Sequence, residues 1–87
     1  MNNKGITYTV QQVSEMIGIS KQLVRKWEDR YKIITPSRLD NGYRMYTKND
    51  VSILLEMKRL INSGHSPKQA SDIIKNPPSN QFFSTIP

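Results

Sequence analysis

The sequence contains no cysteine and a single histidine, His65. Without cysteine, neither a disulfide framework nor a thiolate metal site can form, and one histidine without a second ligand at metal-binding spacing predicts no metal centre. A lone histidine also supports no Ser-His-Asp arrangement, and the chain has no glycine-rich phosphate cradle. We therefore expect a protein that is not an enzyme and that needs no cofactor.

Long hydrophobic runs are also lacking. No apolar run approaches the roughly 18 residues that cross a bilayer, and the start, "MNNKGITYTV", has no continuous apolar stretch of the kind found in signal peptides. The lack of cysteine fits a reducing compartment. We expect one small soluble domain in the 87 residues, cytoplasmic and without a membrane partner.

Positive charge is what the sequence has in excess. Thirteen lysines and arginines against seven acidic residues give a net charge of +6. Eight of the basic residues and three of the acidic ones lie between residues 20 and 48, which leaves a local excess of +5. Such a concentration is typical of proteins that bind a polyanion, although charge alone is equally consistent with a solvated basic surface.

Two helices separated by a tight turn are predicted near the N-terminus. Thr9 is expected to cap the first helix, Gly18 to permit the turn, and Ser20 to cap the second helix, "KQLVRKWEDRY". The apolar residues at helical spacing in the first helix are Val10, Val13, Met16 and Ile17. This is the arrangement of a helix-turn-helix.

The second helix separates an apolar face from a polar one. Its apolar residues are Leu23, Val24, Trp27 and Tyr31. Its polar face carries Lys21, Gln22, Arg25, Lys26 and Asp29. Trp27 and Tyr31 are expected in the core, because their face points inward, and Asp29 is expected to pair with Arg25 one turn earlier.

A β-hairpin is predicted after the second helix. Ile33 and Ile34 would begin its first strand, at a sheet edge because Pro36 follows. The pair Asn41-Gly42 is a strong hairpin signal, because both residues accept a positive φ.

The second strand of this hairpin reads Tyr43-Arg44-Met45-Tyr46. Alternation would place Tyr43 and Met45 on one face and Arg44 and Tyr46 on the other. A two-stranded ribbon alone is marginally stable, so it must pack on the helices. Tyr46 is expected to provide that packing, whereas Tyr43 and Arg44 have no evident structural need.

Two further helices complete the predicted domain. Thr47 with Asp50 resembles a capping box, and Ser66 with Pro67 predicts the start of a final helix after His65. The apolar residues of the longer helix are Val51, Ile53, Leu54, Leu55, Met57, Leu60 and Ile61. They cover more than a narrow stripe, so this helix is either the central core helix or buries a second side against another chain.

This order of elements resembles the winged helix-turn-helix DNA-binding domain of the MerR family of transcription regulators. The resemblance is carried by "YTVQQVSEMIGISKQLVRKWEDRY", "PSRLDNGYRMYTKNDV" and "LLEMKRLINSGHSPKQASDII", roughly residues 7–74, and "RKWEDRY" is most similar to members joined to cobalamin-binding sensors. It implies a mainly α fold over residues 1–75, with a two-stranded wing, and a linker or disordered tail over residues 76–87. Lys26 replaces a frequent aromatic, and Lys32 replaces a frequent glycine, which suggests a different helix cap.

The resemblance also implies sequence-specific binding of double-stranded DNA, with the second helix in the major groove and a wing from Ile33 to Tyr46 on the adjacent backbone. The expected DNA-binding residues are Lys21, Gln22, Arg25, Lys26, Arg38, Tyr43 and Arg44. Arg25 and Gln22 have side chains suited to guanine and adenine edges. Lys21 and Lys26 suit phosphates.

The resemblance to this family also implies two further partners. A homodimer would form through a C-terminal element that this chain does not contain, and RNA polymerase is a further expected contact. Two alternatives stay open: an excisionase-like architectural protein that bends DNA, and a protein-interaction module that uses the helix from Val51 to Ile61. The sequence leaves open the operator, the effector, activation or repression, and whether the chain is a fragment of a longer regulator.

Overall fold

The computed structural model describes residues 6–76, which form four helices and one hairpin. In chain order these elements are α1 (Val10–Ile17), α2 (Lys21–Tyr31), β1 (Ser37–Arg38), β2 (Arg44–Met45), α3 (Lys48–Asn62) and α4 (Pro67–Lys75). The mainly helical winged helix-turn-helix predicted from the sequence is confirmed. The predicted tail, residues 76–87, lies outside the described residues apart from Asn76.

The predicted caps of the first two helices are present. The Thr9 hydroxyl accepts from the Gln12 N–H, and the Gln12 side chain accepts from the Thr9 N–H, so that a full capping box opens α1. The Ser20 hydroxyl accepts from the Leu23 N–H at 3.0 Å. Between the helices Gly18 adopts a left-handed conformation, with φ of 84°, which glycine adopts without a steric penalty.

The end of α2 corrects the expectation of a different cap. Lys32 itself adopts the left-handed conformation, with φ of 54°, and its N–H donates to the Glu28 carbonyl at 3.1 Å. The cap therefore has the geometry that glycine usually provides, although a lysine forms it. A side chain in this conformation costs free energy, because its Cβ crowds the backbone.

The core lies between the helix-turn-helix and α3. Val13, Ile17, Val24 and Trp27 are buried there, as their spacing predicted. Met16 was expected on the same face of α1 but is 51% exposed. It lies about 100° around the helix axis from Ile17, and an eight-residue helix buries only a narrow strip, so Met16 falls at its edge.

The start of the predicted hairpin was wrong. Ile33 and Ile34 are both buried in the core, and the strand begins at Ser37, which pairs with Met45. Adjacent side chains of a strand point to opposite faces. An edge strand would therefore bury only one of the two isoleucines, and the segment buries both instead of pairing.

The turn of the hairpin is confirmed at the predicted place, but of the two residues that accept a positive φ only Gly42 adopts one. Leu39 donates to the Tyr43 carbonyl, and Gly42 donates to the Leu39 carbonyl, each at 2.8 Å. The loop is thus Asp40-Asn41-Gly42, and only Gly42 has a positive φ, of 90°. This is a type I turn followed by a left-handed glycine. The Asn41 side chain supports it by accepting from the Tyr43 N–H.

The wing, residues 37–46, is attached to the helices at its outgoing end. The backbone of Tyr46 exchanges two hydrogen bonds of 2.8 Å with Tyr8, just before α1. The Tyr46 side chain is completely buried, which confirms its predicted packing role. These contacts provide what a two-stranded ribbon lacks by itself.

Helix α3 is the central core helix. Thr47 and Asp50 form the predicted capping box, and the helix packs against α1 and α4. Its apolar residues buried within the chain are Val51, Leu54, Met57 and Leu60. Leu55 remains 46% exposed, so the apolar surface is not wholly covered. Within residues 6–76, no helix has the length and apolar character needed to span a bilayer.

Candidate nucleic-acid interface

A cleft of about 210 Å³ lies where the starts of α1 and α2 meet the wing. Its lining residues are Thr9, Val10, Gln11, Lys21, Arg25, Gly42, Tyr43 and Arg44. Four of the seven expected DNA-binding residues therefore share one cleft, although they come from two separate parts of the chain. The other three, Gln22, Lys26 and Arg38, are exposed but do not line it.

The polar face of α2 begins with a basic ridge, which comprises Lys21, Gln22, Arg25 and Lys26. All four residues are exposed, because the helical period turns them away from the buried side that carries Val24. The three cations form no ion pair within residues 6–76. Their positive charge is therefore available to a partner.

Asp29 does not make the expected pair with Arg25. Its carboxylate lies 3.7 Å from an Arg44 amino group of the wing instead. Asp29 is exposed, so this contact contributes little stability. Sequence spacing predicts only the helical neighbours of Asp29, because it does not place the wing relative to α2.

Arg44 has a structural partner, contrary to the expectation that no structural need explains it. Its Nε donates to Oε2 of Glu28 at 2.9 Å. The other oxygen, Oε1, accepts from the Tyr46 hydroxyl at 2.9 Å. Both oxygens of one α2 carboxylate are thus bound by two wing residues.

The environment of this cluster changes the proton affinity of two of its members. The pKa of Tyr46 is raised well above its ordinary value, first by burial and then by the hydrogen bond to the Glu28 carboxylate. The pKa of Arg44 is also raised, mainly because its hydrogen bond to Glu28 favours the charged form. Arg44 therefore stays ionised and Tyr46 stays protonated at neutral pH.

Glu28 is the functional candidate that the sequence analysis missed. The residue is 7% exposed, although it lies in a helix with a strongly charged face. One indication was available: Glu28 follows Val24 by four positions, and residues four apart share a helix face. Since Val24 faces the core, an acid at this position needs a partner from another element.

The two remaining wing candidates differ from Arg44. Tyr43 is 69% exposed, and Arg38 is exposed and forms no ion pair among the described residues. Arg38 lies directly opposite Arg44 in the ladder. Like charges at such positions repel, and the pairing of Arg44 with Glu28 offsets this repulsion.

Lys58 is a second residue that the sequence analysis did not single out. Its Nζ donates to the Ile17 carbonyl at 2.7 Å, and this contact joins α3 to the C-terminal end of α1. The ammonium group satisfies one of the carbonyls that a helix end leaves free, and it also interacts favourably with the helix dipole. It therefore helps to fix the turn between α1 and α2.

No cluster of metal-ligand type occurs in the described part of the chain. Among residues 6–76, no three histidine, aspartate or glutamate side chains are close enough together to hold a metal ion.

The fold and the arrangement of basic residues agree with a known protein family. Residues 8–76 match the family model described as "MerR HTH family regulatory protein". The chain belongs to the MerR family. Its fold is that of the MerR winged helix-turn-helix DNA-binding domains, and the family resemblance recognised in the sequence is confirmed.

Two curated members of the MerR family illustrate the likeness. The chain is 38% identical over 68 residues to the HTH-type transcriptional repressor CarH of Myxococcus xanthus, a match that covers 78% of this chain and 23% of CarH. It is 29% identical over 69 residues to the HTH-type transcriptional regulator MlrA of Escherichia coli, covering 79% of this chain and 28% of MlrA. The chain thus spans less than a third of either relative.

Solved structures of MerR-family regulators have the same fold. HiNmlR, a MerR family regulator lacking the sensor domain and crystallised bound to promoter DNA, has a TM-score of 0.75 and 25% identity. This match covers 91% of the present chain and 64% of HiNmlR. A MerR family regulator from Bacillus cereus also has a TM-score of 0.75, at 18% identity, which supports the fold alone.

Proposed function

We propose that this chain binds double-stranded DNA sequence-specifically, as the DNA-binding domain of a transcription regulator. One observation carries the proposal: the basic ridge of α2 is exposed, its cations are unpaired among the described residues, and the wing flanks it across a single cleft. A helix and an adjacent hairpin suit a major groove and its bordering backbone.

The basic ridge divides into two roles in this proposal. Arg25 reads a guanine edge with its forked guanidinium, and Gln22 reads an adenine edge. Lys21 and Lys26 contact phosphates, where a point charge is sufficient. This division is supported by the position of the four residues in the first half of α2, the part of a recognition helix that contacts bases.

The wing supplies contacts to the backbone beside the groove. Tyr43 and Arg38 are the exposed candidates, and each can donate a hydrogen bond to a phosphate oxygen. Arg44 lies in the same cleft but is held by Glu28.

The proposal extends to the oligomeric state, the protein partners and the cellular location. One recognition helix reads only a few base pairs, so we propose a homodimer on two half-sites about one helical turn apart, joined through an element outside residues 6–76. A contact with RNA polymerase, a cytoplasmic location and the absence of enzymatic activity follow from the same role. The interaction module on α3 has less support, because four of the apolar residues of that helix are buried in its own core.

A salt titration tests the proposal most directly. The 87-residue chain is used to select its preferred duplex from a random pool, and the affinity is then measured by fluorescence anisotropy at several salt concentrations. Each phosphate contact should contribute about −0.9 to the slope of log K against log salt. We expect a slope of about −3 or steeper, because Lys21, Lys26 and Arg38 are assigned to phosphates. A flat response would overturn the proposal.

The Arg25→Ala substitution tests the assignment of base recognition. It should cost about 1–3 kcal/mol on the selected duplex and relax the preference at one base pair. Lys68→Ala is the matched control, because it removes an exposed cation of α4 that does not line the cleft. Equal losses for Arg25→Ala on selected and random duplexes would contradict base recognition by this residue.

A further inference from the structure

The cluster of Glu28, Arg44 and Tyr46 joins the recognition helix to the wing. Glu28 belongs to α2, three positions after Arg25, whereas its two donors lie at the outgoing end of the wing. The cluster therefore connects the element assigned to base contacts with the element assigned to backbone contacts. No other ion pair within residues 6–76 joins α2 to the wing except the exposed Asp29–Arg44 contact.

The wing depends on its attachments to the helices, because its own strand pairing is short. Each of its strands has two residues, and a ribbon of this size does not hold its own position. The backbone pairing with Tyr8 attaches the wing to the segment before α1. Glu28 attaches the wing to α2, because its carboxylate accepts hydrogen bonds from Arg44 and Tyr46.

A buried carboxylate is not a strong source of stability in such a place. The free energy needed to remove an ion pair from water offsets much of its electrostatic attraction. Apolar residues of similar size often give equal stability. A carboxylate does define geometry, because its two oxygens accept from two donors in fixed directions. The cluster is therefore better suited to setting the angle between wing and helix than to stabilising the core.

The charge around Arg44 is also wrong for a phosphate contact. Its Nε is bound by Glu28, and its amino group lies 3.7 Å from Asp29. The positive charge of Arg44 is therefore balanced within the structure, whereas Lys21 and Arg25, which line the same cleft, form no ion pair in the described part of the chain. The cluster offers no net positive charge to a polyanion.

From this geometry we infer that Glu28 is a positioning residue for DNA binding. It fixes the wing against α2 through Arg44 and Tyr46, and Arg44 contributes to affinity through the position of the wing rather than through a phosphate. This inference rests on the proposed function, since it concerns how the same interface is aligned. It therefore assigns Arg44 a supporting role in the interface instead of a direct contact with DNA.

The Glu28→Gln substitution separates positioning from simple electrostatics, because the two predict opposite signs. Gln keeps the size of the side chain but removes a negative charge near DNA, so electrostatics alone predicts tighter binding. Positioning predicts binding that is weaker by roughly three- to tenfold, about the net effect of one ordinary hydrogen bond, because the Gln amide has a single oxygen to accept from the two donors. Asp29→Asn is the matched control on the same helix and should bind DNA equally or slightly more tightly.

The Arg44→Ala substitution adds a second readout, the salt dependence. A lost phosphate contact would reduce the slope of log K against log salt by about 0.9. We expect weaker binding with an unchanged slope, and we expect Arg44→Ala to add less than about twofold in the Glu28→Gln background, since coupled residues are not additive. Binding is measured well below the thermal midpoint of each variant, and Glu28→Gln alone carries the test if Arg44→Ala does not fold.

The outcomes distinguish this inference from the proposed function. A wild-type chain that binds DNA, with a Glu28→Gln variant that binds more tightly, would overturn the inference and leave the function intact. A slope reduced by about 0.9 in Arg44→Ala would do the same. A wild-type chain without salt-dependent binding to any duplex would overturn both.

Discussion

Replacing Tyr46 with phenylalanine removes one buried oxygen atom from the contact between the wing and α2. The side chain is completely buried, and its hydroxyl donates to Oε1 of Glu28 at 2.9 Å. The ring should keep its place, because the backbone of Tyr46 remains paired with Tyr8. The substitution therefore isolates the hydrogen bond between the wing and α2.

The expected loss of stability follows from the partner. Hydrogen bonds to charged groups contribute about 1.5–3 kcal/mol, and the buried Oε1 of Glu28 would be left without a donor. We expect the lower part of this range, about 1.5–2 kcal/mol, because Arg44 still binds the other oxygen. A domain of this size loses about 4–8 °C in midpoint for each kcal/mol, so the thermal midpoint should fall by roughly 6–16 °C.

Thermal unfolding followed by far-ultraviolet circular dichroism measures this effect at neutral pH. The matched control is Tyr43→Phe, which removes a hydroxyl from a side chain that is 69% exposed. Such surface substitutions usually change stability by less than about 0.5 kcal/mol. Equal midpoints for Tyr46→Phe and Tyr43→Phe would refute the reasoning, because the buried hydrogen bond would then contribute nothing measurable.

The stability difference between wild type and Tyr46→Phe should depend on pH. Burial and the Glu28 carboxylate raise the pKa of Tyr46 above its ordinary value of about 10, so the folded state holds this proton more tightly than the unfolded state. The stability that this difference in proton binding contributes is fully present below about pH 10. It is lost as the pH rises, by up to about 1.4 kcal/mol for each pH unit. The stability difference between wild type and Tyr46→Phe should therefore narrow above about pH 10. A difference that stays constant there would contradict the assigned cause.

Two further substitutions test the helix ends. Lys32→Gly should raise the free energy of unfolding by about 0.5–1 kcal/mol, because glycine adopts the left-handed conformation without the cost that a side chain brings; an unchanged or lower urea midpoint would count against this strain. Lys58→Met should lower it by about 1 kcal/mol, because the Ile17 carbonyl loses its donor, whereas the exposed Lys68→Met should leave the urea midpoint unchanged.

The helix starts were predictable because a cap joins residues close together in the chain. Thr9, Ser20, Thr47 and Ser66 each accept from a backbone N–H three positions later. The hairpin turn at Gly42 depends on an equally short segment. Local sequence contains both partners of every such bond, and the predicted order of elements was correct for that reason.

Burial at the edges of elements was less predictable. Met16 shares the spacing of buried residues but lies exposed, and Ile33 and Ile34 form part of the core rather than a strand. Periodicity shows which side chains share a face. It does not show how much of that face a distant element will cover.

The helix-turn-helix, the hairpin, the concentration of positive charge and the family all follow from the order of the residues. Which charges remain available depends on tertiary packing. Glu28 and Arg44 are sixteen positions apart, and Lys58 is forty-one positions from Ile17. Whether such groups meet depends on how the wing and α3 pack against the first two helices. The sequence therefore identified both Arg25 and Arg44 as DNA-binding candidates, whereas packing binds Arg44 to Glu28 and leaves Arg25 without an ion pair among the described residues.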